Sequence, residues 1–187
     1  MLPEFETFNK IARLSRECTV TEKIDGTNGQ ILITEDGELY VGSRSRWLIT
    51  PNDINIGDNF GFGRWVLEHK DELIAGLGIG RHYGEWWGQG IQRKYGLTEK
   101  RFSLFNTHLW TDDAVRPKCC HVVPVLYKGL FDQIIIQDCL NSLRLQGSIA
   151  SPGFMKPEGV VIYHDAAKVY FKKTIEDDEK PKGQVTE

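Results

Sequence analysis

The chain has 187 residues, of which 40% are hydrophobic and 26% are charged, and its formal net charge is −3. This length suits one ordinary soluble domain and is short for two. The slight negative charge argues against a protein that coats nucleic acid, but it allows one that grips a few phosphates through local basic patches. The sequence has neither a run of about 20 apolar residues nor a signal peptide, so we expect a cytoplasmic protein with no membrane partner.

The predicted elements begin with a short mixed segment at residues 5–16, which suits a helix or an edge strand. From Thr19 onward the pattern is that of β-structure, and a strand is predicted at 29–34. The turn at 35–38 is a strong hairpin signal, and the return strand begins at 39–41.

The middle of the chain alternates between loop, helix and strand signals. Residues 51–63 are rich in Gly, Asn and Asp and predict a loop. Apolar residues at helical spacing predict a helix over 64–77, with Gly76 as its C-terminal stop. Further strands are predicted at 82–87 and 101–107.

The last third predicts one more helix and a second hairpin. A strand at 122–126 is weakened by Pro124, because proline cannot donate a hydrogen bond to a neighbouring strand. A helix is predicted over 131–145, followed by a hairpin of strands at 159–163 and 168–171. Residues 176–187 form a charged tail that we expect to be mobile.

Many strands with few helices between them predict an α+β domain of mainly antiparallel sheets with a few flanking helices. We expect this single domain to span residues 1–175. The chain has no Gly-x-x-x-x-Gly-Lys-Ser/Thr loop, so nucleotide binding of the P-loop kind is disfavoured.

Four segments combine ionisable residues with glycine or an apolar run, and they carry in order a lysine, a glutamate, a glutamate and a lysine. The segments are 21–29, 83–88, 156–162 and 169–173, which contribute Lys23, Glu85, Glu158 and Lys172. Taken singly, Lys-x-Asp-Gly is usually a hairpin turn, and Trp86 and Trp87 suit a hydrophobic core. The coincidence of all four in one order predicts a single site assembled from strand ends.

These residue types suit attack by an amine on a phosphate. A lysine amine is a nucleophile only when neutral, and its ordinary pKa is about 10.4. A second cation, Lys172 or Lys173, would favour the neutral amine of Lys23 and would also neutralise the phosphate. The carboxylate of Glu158 suits Mg²⁺, and Glu85 could bind a metal or accept hydrogen bonds from a ribose.

These motifs resemble those of the covalent nucleotidyltransferases, and most closely those of the type 2 RNA ligase family. Residues 22–28 resemble the nucleotidyl-lysine motif, and residues 83–92 resemble the ribose-binding Gly-Glu motif. The remaining correspondences are at 42–46, 101–106, 158–161 and 170–172. The resemblance extends from about residue 20 to residue 174, and it implies a nucleotidyltransferase (ATP-grasp-like) fold.

The resemblance also implies a reaction and roles for named residues. Lys23 would attack the α-phosphate of ATP and become lysyl-AMP, with Mg²⁺ or Mn²⁺ as the metal, and AMP would pass to a polynucleotide 5′-phosphate for joining to a 3′-hydroxyl. Metal ligands would be Glu158 and Glu85, and Arg46 and Lys173 would contact phosphate or nucleic acid. The implied nucleotide-binding residues are Glu22, Ile24, Asp25, Gly26, Asn28, Arg44, Glu85, Phe105, Glu158 and Lys172.

The chain departs from the family pattern at two positions. Asn106 stands where the family commonly has Asp after the stacking Phe, and Thr174 stands where a second lysine usually follows Lys172. Family members generally add a C-terminal domain, and we expect no such accessory domain after the last motif of this sequence. We therefore expect adenylylation first of all, with a partner protein or a homo-oligomer supplying the missing surface.

Several alternatives stay open at this stage. The substrate could be RNA or DNA strand ends, so a minimal ATP-dependent DNA ligase is an alternative, and a GTP-using capping enzyme is a more distant one. A catalytically inactive nucleotide- or RNA-binding module of the same fold is the non-enzymatic alternative. The segment Cys119-Cys120-His121 lacks the paired spacing of zinc sites, so we expect reduced structural thiols there.

Overall fold

The computed structural model describes residues 2–54 and 57–179, so most of the predicted tail, 180–187, lies outside the described residues. The described residues form ten strands and four helices. The strands are β1 Glu17–Lys23, β2 Thr27–Ile33, β3 Leu39–Gly42, β4 Trp47–Ile49, β5 Gly80–Gly88, β6 Lys100–Leu104, β7 Cys120–Val122, β8 Val125–Leu130, β9 Gly159–His164 and β10 Val169–Thr174. The helices are α1 Phe62–Glu68, α2 Lys70–Leu77, α3 Thr107–Trp110 and α4 Gln133–Gln146.

The strands form two sheets. The first has the order β10-β9-β1-β8, and the second has the order β4-β3-β2-β5-β6-β7. Every pairing between these strands is antiparallel except that of β6 with β7. The prediction of an α+β fold with mainly antiparallel sheets is therefore confirmed.

The period-2 pattern of β1 divides its side chains between a core and a cavity. Cys18 and Val20 are fully buried in the core that the first sheet forms with α4. Thr19, Thr21 and Lys23 point to the opposite face, where they line a cavity between the two sheets. The apolar side chains of the strand that carries the predicted nucleophile are thus buried on one face, and its other face borders the cavity.

The predicted helix at 64–77 is in fact two helices, α1 and α2, which are interrupted at His69. Gly76 is not the stop, because α2 continues to Leu77 and ends at Gly78, whose φ of 71° suits glycine. Gly76 instead allows close packing, since a Cβ there would lie 2.7 Å from Pro117 Cγ.

Two other local predictions are corrected. Residues 5–13 are neither helix nor strand, and the side chains of Phe5 and Phe8 are exposed. The strand predicted at 122–126 is two strands, β7 and β8, which are separated at Val123 and Pro124 and belong to different sheets. The C-terminal hairpin of β9 and β10 is confirmed. Within the described part of the chain, no helix is both long and apolar enough to cross a membrane.

Candidate active site

Lys23 and Glu158 form an ion pair at the edge of the first sheet. Lys23 is the last residue of β1 and lies opposite Gly159, the first residue of β9, so the residue before β9 comes next to it. The distance from Lys23 Nζ to Glu158 Oε2 is 2.7 Å, and the two side chains are only 18% and 6% exposed. The antiparallel register therefore brings together two residues that are 135 positions apart in the sequence.

Gly26 brings the turn after Lys23 against the second sheet. A Cβ at Gly26 would lie 2.5 Å from the carbonyl oxygen of Trp86, so only glycine fits there without displacement. The close approach lets Gly26 N–H donate to Glu85 Oε1 at 3.0 Å. Asn28 Nδ2 lies 3.4 Å from the other oxygen of Glu85, because β2 and β5 place these two residues opposite each other.

Glu85 has the most strongly perturbed carboxyl group of this site. Its pKa is raised from 4.5 to about 7, chiefly by burial; Lys23 and the Gly26 N–H counteract the rise, and the nearby carboxylates Glu158 and Asp25 contribute to it. A carboxyl group that holds its proton close to neutral pH can both donate and accept hydrogen bonds. This suits a ligand with hydroxyl groups.

Asp25 is held by two residues of the segment after β5. Its N–H donates to the Tyr95 hydroxyl oxygen at 2.8 Å, and Arg93 Nε donates to Asp25 Oδ2 at 3.1 Å. Tyr95 is almost fully buried, and Arg93 also donates to the carbonyl oxygen of Lys156. Tyr95 could not be predicted as a site residue, because nothing in its local sequence distinguishes it from a core residue. Arg93 could be predicted from the sequence only as a surface cation.

Glu22 borders the cavity, but its carboxylate binds the loop between α4 and β9. Ser148 Oγ donates to one oxygen, and the N–H groups of Ile149 and Ala150 donate to the other at 2.8 and 2.9 Å. Burial raises the pKa of Glu22, and these hydrogen bonds counteract the rise. Because this loop continues to Glu158, Glu22 helps to position the partner of Lys23.

The cavity between the sheets has a volume of about 1060 Å³. Lys23, Glu85 and Asn28 line one end of it, together with the apolar side chains of Phe105 and Ile24. Phe105 packs against the buried cluster that contains Ile24 and Val123. This end of the cavity thus combines ionisable groups with an apolar wall, which is the usual composition of a small-ligand pocket.

The two lysines of β10 lie on opposite faces of the first sheet. Lys172 pairs with Val161, which lines the cavity, and Lys173 pairs with Val160, which is buried in the core beside α4. Alternation along the strand therefore places Lys172 on the cavity face and Lys173 on the α4 face. Thr174 shares the cavity face and pairs with Gly159, next to Lys23.

Some predicted residues lie away from the cavity. Arg44 and Arg46 are exposed in the turn between β3 and β4 and do not line it. Asn106, in contrast, does line the cavity, and its side chain caps α3 by accepting from Leu109 N–H. Trp86 and Trp87 are buried, as their core interpretation predicts.

The site offers two carboxylates, Glu158 and Glu85, as metal ligands. In residues 2–54 and 57–179, no group of three or more His, Cys, Asp or Glu side chains could hold a metal ion. Two carboxylates fit Mg²⁺, which usually takes its other ligands from water and substrate phosphates. All four cysteines are free thiols, and the sulfur atoms of Cys119 and Cys120 are 4.0 Å apart.

A family model described as RNA ligase matches residues 16–175. No curated protein sequence matches the chain. Solved structures of the Naegleria gruberi RNA ligase share the fold. An apo variant has a TM-score of 0.59 and 18% identity, and the match covers 92% of this chain and 57% of that chain. A variant with AMP and Mn has a TM-score of 0.61 and 18% identity, with coverages of 91% and 56%, and a variant with ATP and Mn has a TM-score of 0.57 and 17% identity, with coverages of 86% and 50%. The chain thus spans about half the length of the proteins that it matches.

Proposed function

The chain belongs to the RNA ligase family, and we propose on that premise that it uses ATP to adenylylate Lys23 and then transfers AMP to the 5′-phosphate of an RNA end for joining to a 3′-hydroxyl. The observation that carries this proposal is the 2.7 Å pair of Lys23 and Glu158 beside the buried Glu85 at one end of a large cavity. Three ionisable groups from separate segments of the chain meet there, although a stable sheet needs none of them.

In the first step, Lys23 Nζ forms a bond to the α-phosphorus of ATP. The bond from that phosphorus to the oxygen bridging the α- and β-phosphates breaks, and pyrophosphate leaves with the electron pair. Glu158 fixes Nζ and lies close enough to accept its proton. Lys172, on the cavity face two strands away, supplies positive charge for the phosphates.

The remaining residues bind the nucleotide. Phe105 and Ile24 provide the apolar wall for adenine, and Glu85 exchanges hydrogen bonds with the ribose hydroxyls. Glu158 and Glu85 would hold a divalent metal, which when bound neutralises charge on the phosphates. The Naegleria ligase structures with AMP or ATP and Mn support this choice of ligands.

The test is the intact mass of the purified protein after incubation with Mg²⁺ and ATP. We expect a gain of one AMP in the wild type, no gain in Lys23→Ala, and a normal gain in Lys70→Ala, which removes an exposed lysine of α2. A sample treated with pyrophosphate reveals protein that is already adenylylated. If the mass changes in neither direction, the chain is a binding module instead.

The pair Lys172 and Lys173 gives a matched comparison on one strand. We expect Lys172→Ala to slow adenylylation strongly and Lys173→Ala to leave the rate nearly unchanged, because their side chains lie on opposite faces of the sheet. Equal rates in the two variants would contradict the assignment of Lys172 to the phosphates.

The nucleic-acid substrate is tested with two duplexes, one with a nick in an RNA strand and one with a nick in a DNA strand. We expect the RNA nick to be sealed faster, and a preference for DNA would favour the minimal DNA ligase. If AMP transfer occurs without sealing, a partner protein or a second copy of the chain must supply further surface. We place this activity in the cytoplasm.

A further inference from the structure

The cavity continues well beyond Lys23 and Glu85. Its volume of about 1060 Å³ exceeds the usual upper range of small-ligand pockets, about 1000 Å³. At the end away from Lys23, it is lined by residues of the β9–β10 hairpin, among them Tyr163, Lys168 and Tyr170. We call this region the distal end.

Two tyrosines form an aromatic platform in the distal end. Tyr163 and Tyr170 are paired across β9 and β10, and their ring centroids are 4.7 Å apart with an interplanar angle of 40°. Tyr170 is 65% exposed, so part of this aromatic surface is open to a ligand. Both side chains lie on the cavity face, together with Lys172.

The strand register gives the distance from the platform to the reacting lysine. Lys23 lies opposite Gly159, and Tyr163 is four residues further along β9. At about 3.4 Å per residue, this separation is roughly 14 Å along the sheet. It corresponds to about four stacked nucleotides at ~3.4 Å each, or to fewer in an extended strand.

Exposed lysines lie beside the platform. Lys168 Nζ is 5.9 Å from the centroid of the Tyr163 ring, and Lys128 follows on β8, opposite Thr19. Lys168 has a φ of 56°, a left-handed conformation that usually favours glycine or asparagine. In this conformation the Lys168 ammonium lies over the Tyr163 ring.

Carboxylates also line the distal end, at Glu17 and Asp165. An aromatic face combined with nearby cations is the arrangement that binds single-stranded nucleic acid, because every base has a flat face and every linkage a negative charge.

Building on the function proposed above, we propose that the distal end binds a single-stranded RNA nucleotide within about four positions of the end being joined. Its base stacks on Tyr170 and Tyr163, and the adjoining phosphates contact Lys128 and Lys168. The platform thereby holds the strand while its end lies at Lys23.

The test uses 2-aminopurine, whose fluorescence is quenched by stacking. Single-stranded RNAs carry it at one of positions one to five, counted from a 5′-phosphate in one series and from a 3′-hydroxyl in the other. Binding is measured without ATP. We expect the quenching to peak at one position within the first four of one series, which also identifies the strand that is bound.

The variants are Tyr170→Leu and Tyr163→Leu, with Phe171→Leu as the control. Phe171 is 52% exposed on the same strand but on the opposite face. We expect the tyrosine variants to lose the quenching and to bind RNA about 5- to 100-fold more weakly. Phe171→Leu should match the wild type, and all three should become adenylylated by ATP at the normal rate.

Uniform quenching at all positions, or quenching that survives in both tyrosine variants, would overturn the platform. A tyrosine variant that lost adenylylation and RNA binding equally would also overturn it, because its effect would then be structural. Failure of the wild type to gain AMP would instead contradict the proposed function. The stacking of RNA on the tyrosines would still be measured independently, because that assay contains no ATP.

Discussion

Replacing Glu85 with Gln should remove a specific pH dependence from the stability of the protein. The folded protein raises the pKa of this carboxyl from 4.5 to about 7, mainly through burial. Because the folded state holds the proton more tightly than the unfolded state, the stabilisation is complete below pH 4.5 and is lost as the pH rises through 7. Between pH 5 and pH 8 the loss amounts to about 2.5 kcal/mol.

Glutamine keeps the shape of Glu85 and its acceptor for the Gly26 N–H, but it does not ionise. Asn28 can present its amide oxygen to the new NH₂ group by rotating its side chain, so the local hydrogen bonds can be retained. We therefore expect the variant to gain about 2.5 kcal/mol relative to the wild type on going from pH 5 to pH 8.

The assay is urea unfolding at pH 5, 6, 7 and 8 in EDTA, after pyrophosphate treatment so that every molecule is free of AMP. The quantity compared is the difference in unfolding free energy between the wild type and Glu85→Gln at each pH. Glu68→Gln, at an exposed position of α1, is the control and should give a constant difference. A constant difference for Glu85→Gln as well would refute the burial argument.

Three further substitutions test the surroundings of Lys23. Gly26→Ala forces a Cβ towards the carbonyl oxygen of Trp86. We expect this variant to lose about 1–3 kcal/mol of unfolding free energy in urea and to show no AMP labelling. Normal labelling would contradict the argument that only glycine allows this close approach. Ser148→Ala leaves the buried carboxylate of Glu22 short of one donor, so we expect a loss of about 1–3 kcal/mol and slower labelling, measured by the same assays; unchanged stability would show that the loop is held by other contacts. Phe105→Ala should raise the KM for ATP by roughly 5- to 100-fold with a smaller change in kcat, and an unchanged KM would remove adenine from this wall.

The sequence predicted the strands that carry the site better than the contacts that hold it. Lys23 ends β1, Glu85 lies within β5 and Glu158 directly precedes β9. All three strands have clear apolar patterns, so they could be predicted from local sequence alone. The pairing of Glu22 with Ser148 could not, because it joins residues 126 positions apart and depends on where α4 ends.

The same limit explains the helix that proved to be two. Apolar spacing over residues 64–77 fits one continuous helix, whereas the backbone leaves helical geometry at His69 (φ −109°, ψ 16°), and the apolar spacing does not mark that position. Likewise, the two-residue period of a strand predicts that Lys172 and Lys173 lie on opposite faces of the sheet. Only the strand register shows that Lys172 is the one on the cavity face. The alternation of side chains along a strand can be predicted from local sequence, whereas the face that borders the cavity cannot.

The position of β1 between β8 and β9 has a consequence for protein synthesis. Lys23 leaves the ribosome early, yet Glu158, Gly159 and Lys172 are made more than 130 residues later, since the ion pair alone spans 135 positions. Contacts of such long sequence separation form late, because the chain must first close a large loop. On the function proposed above, a nascent chain cannot be adenylylated until the β9–β10 hairpin has emerged and β9 has paired with β1, so labelling of Lys23 would report that the first sheet has folded.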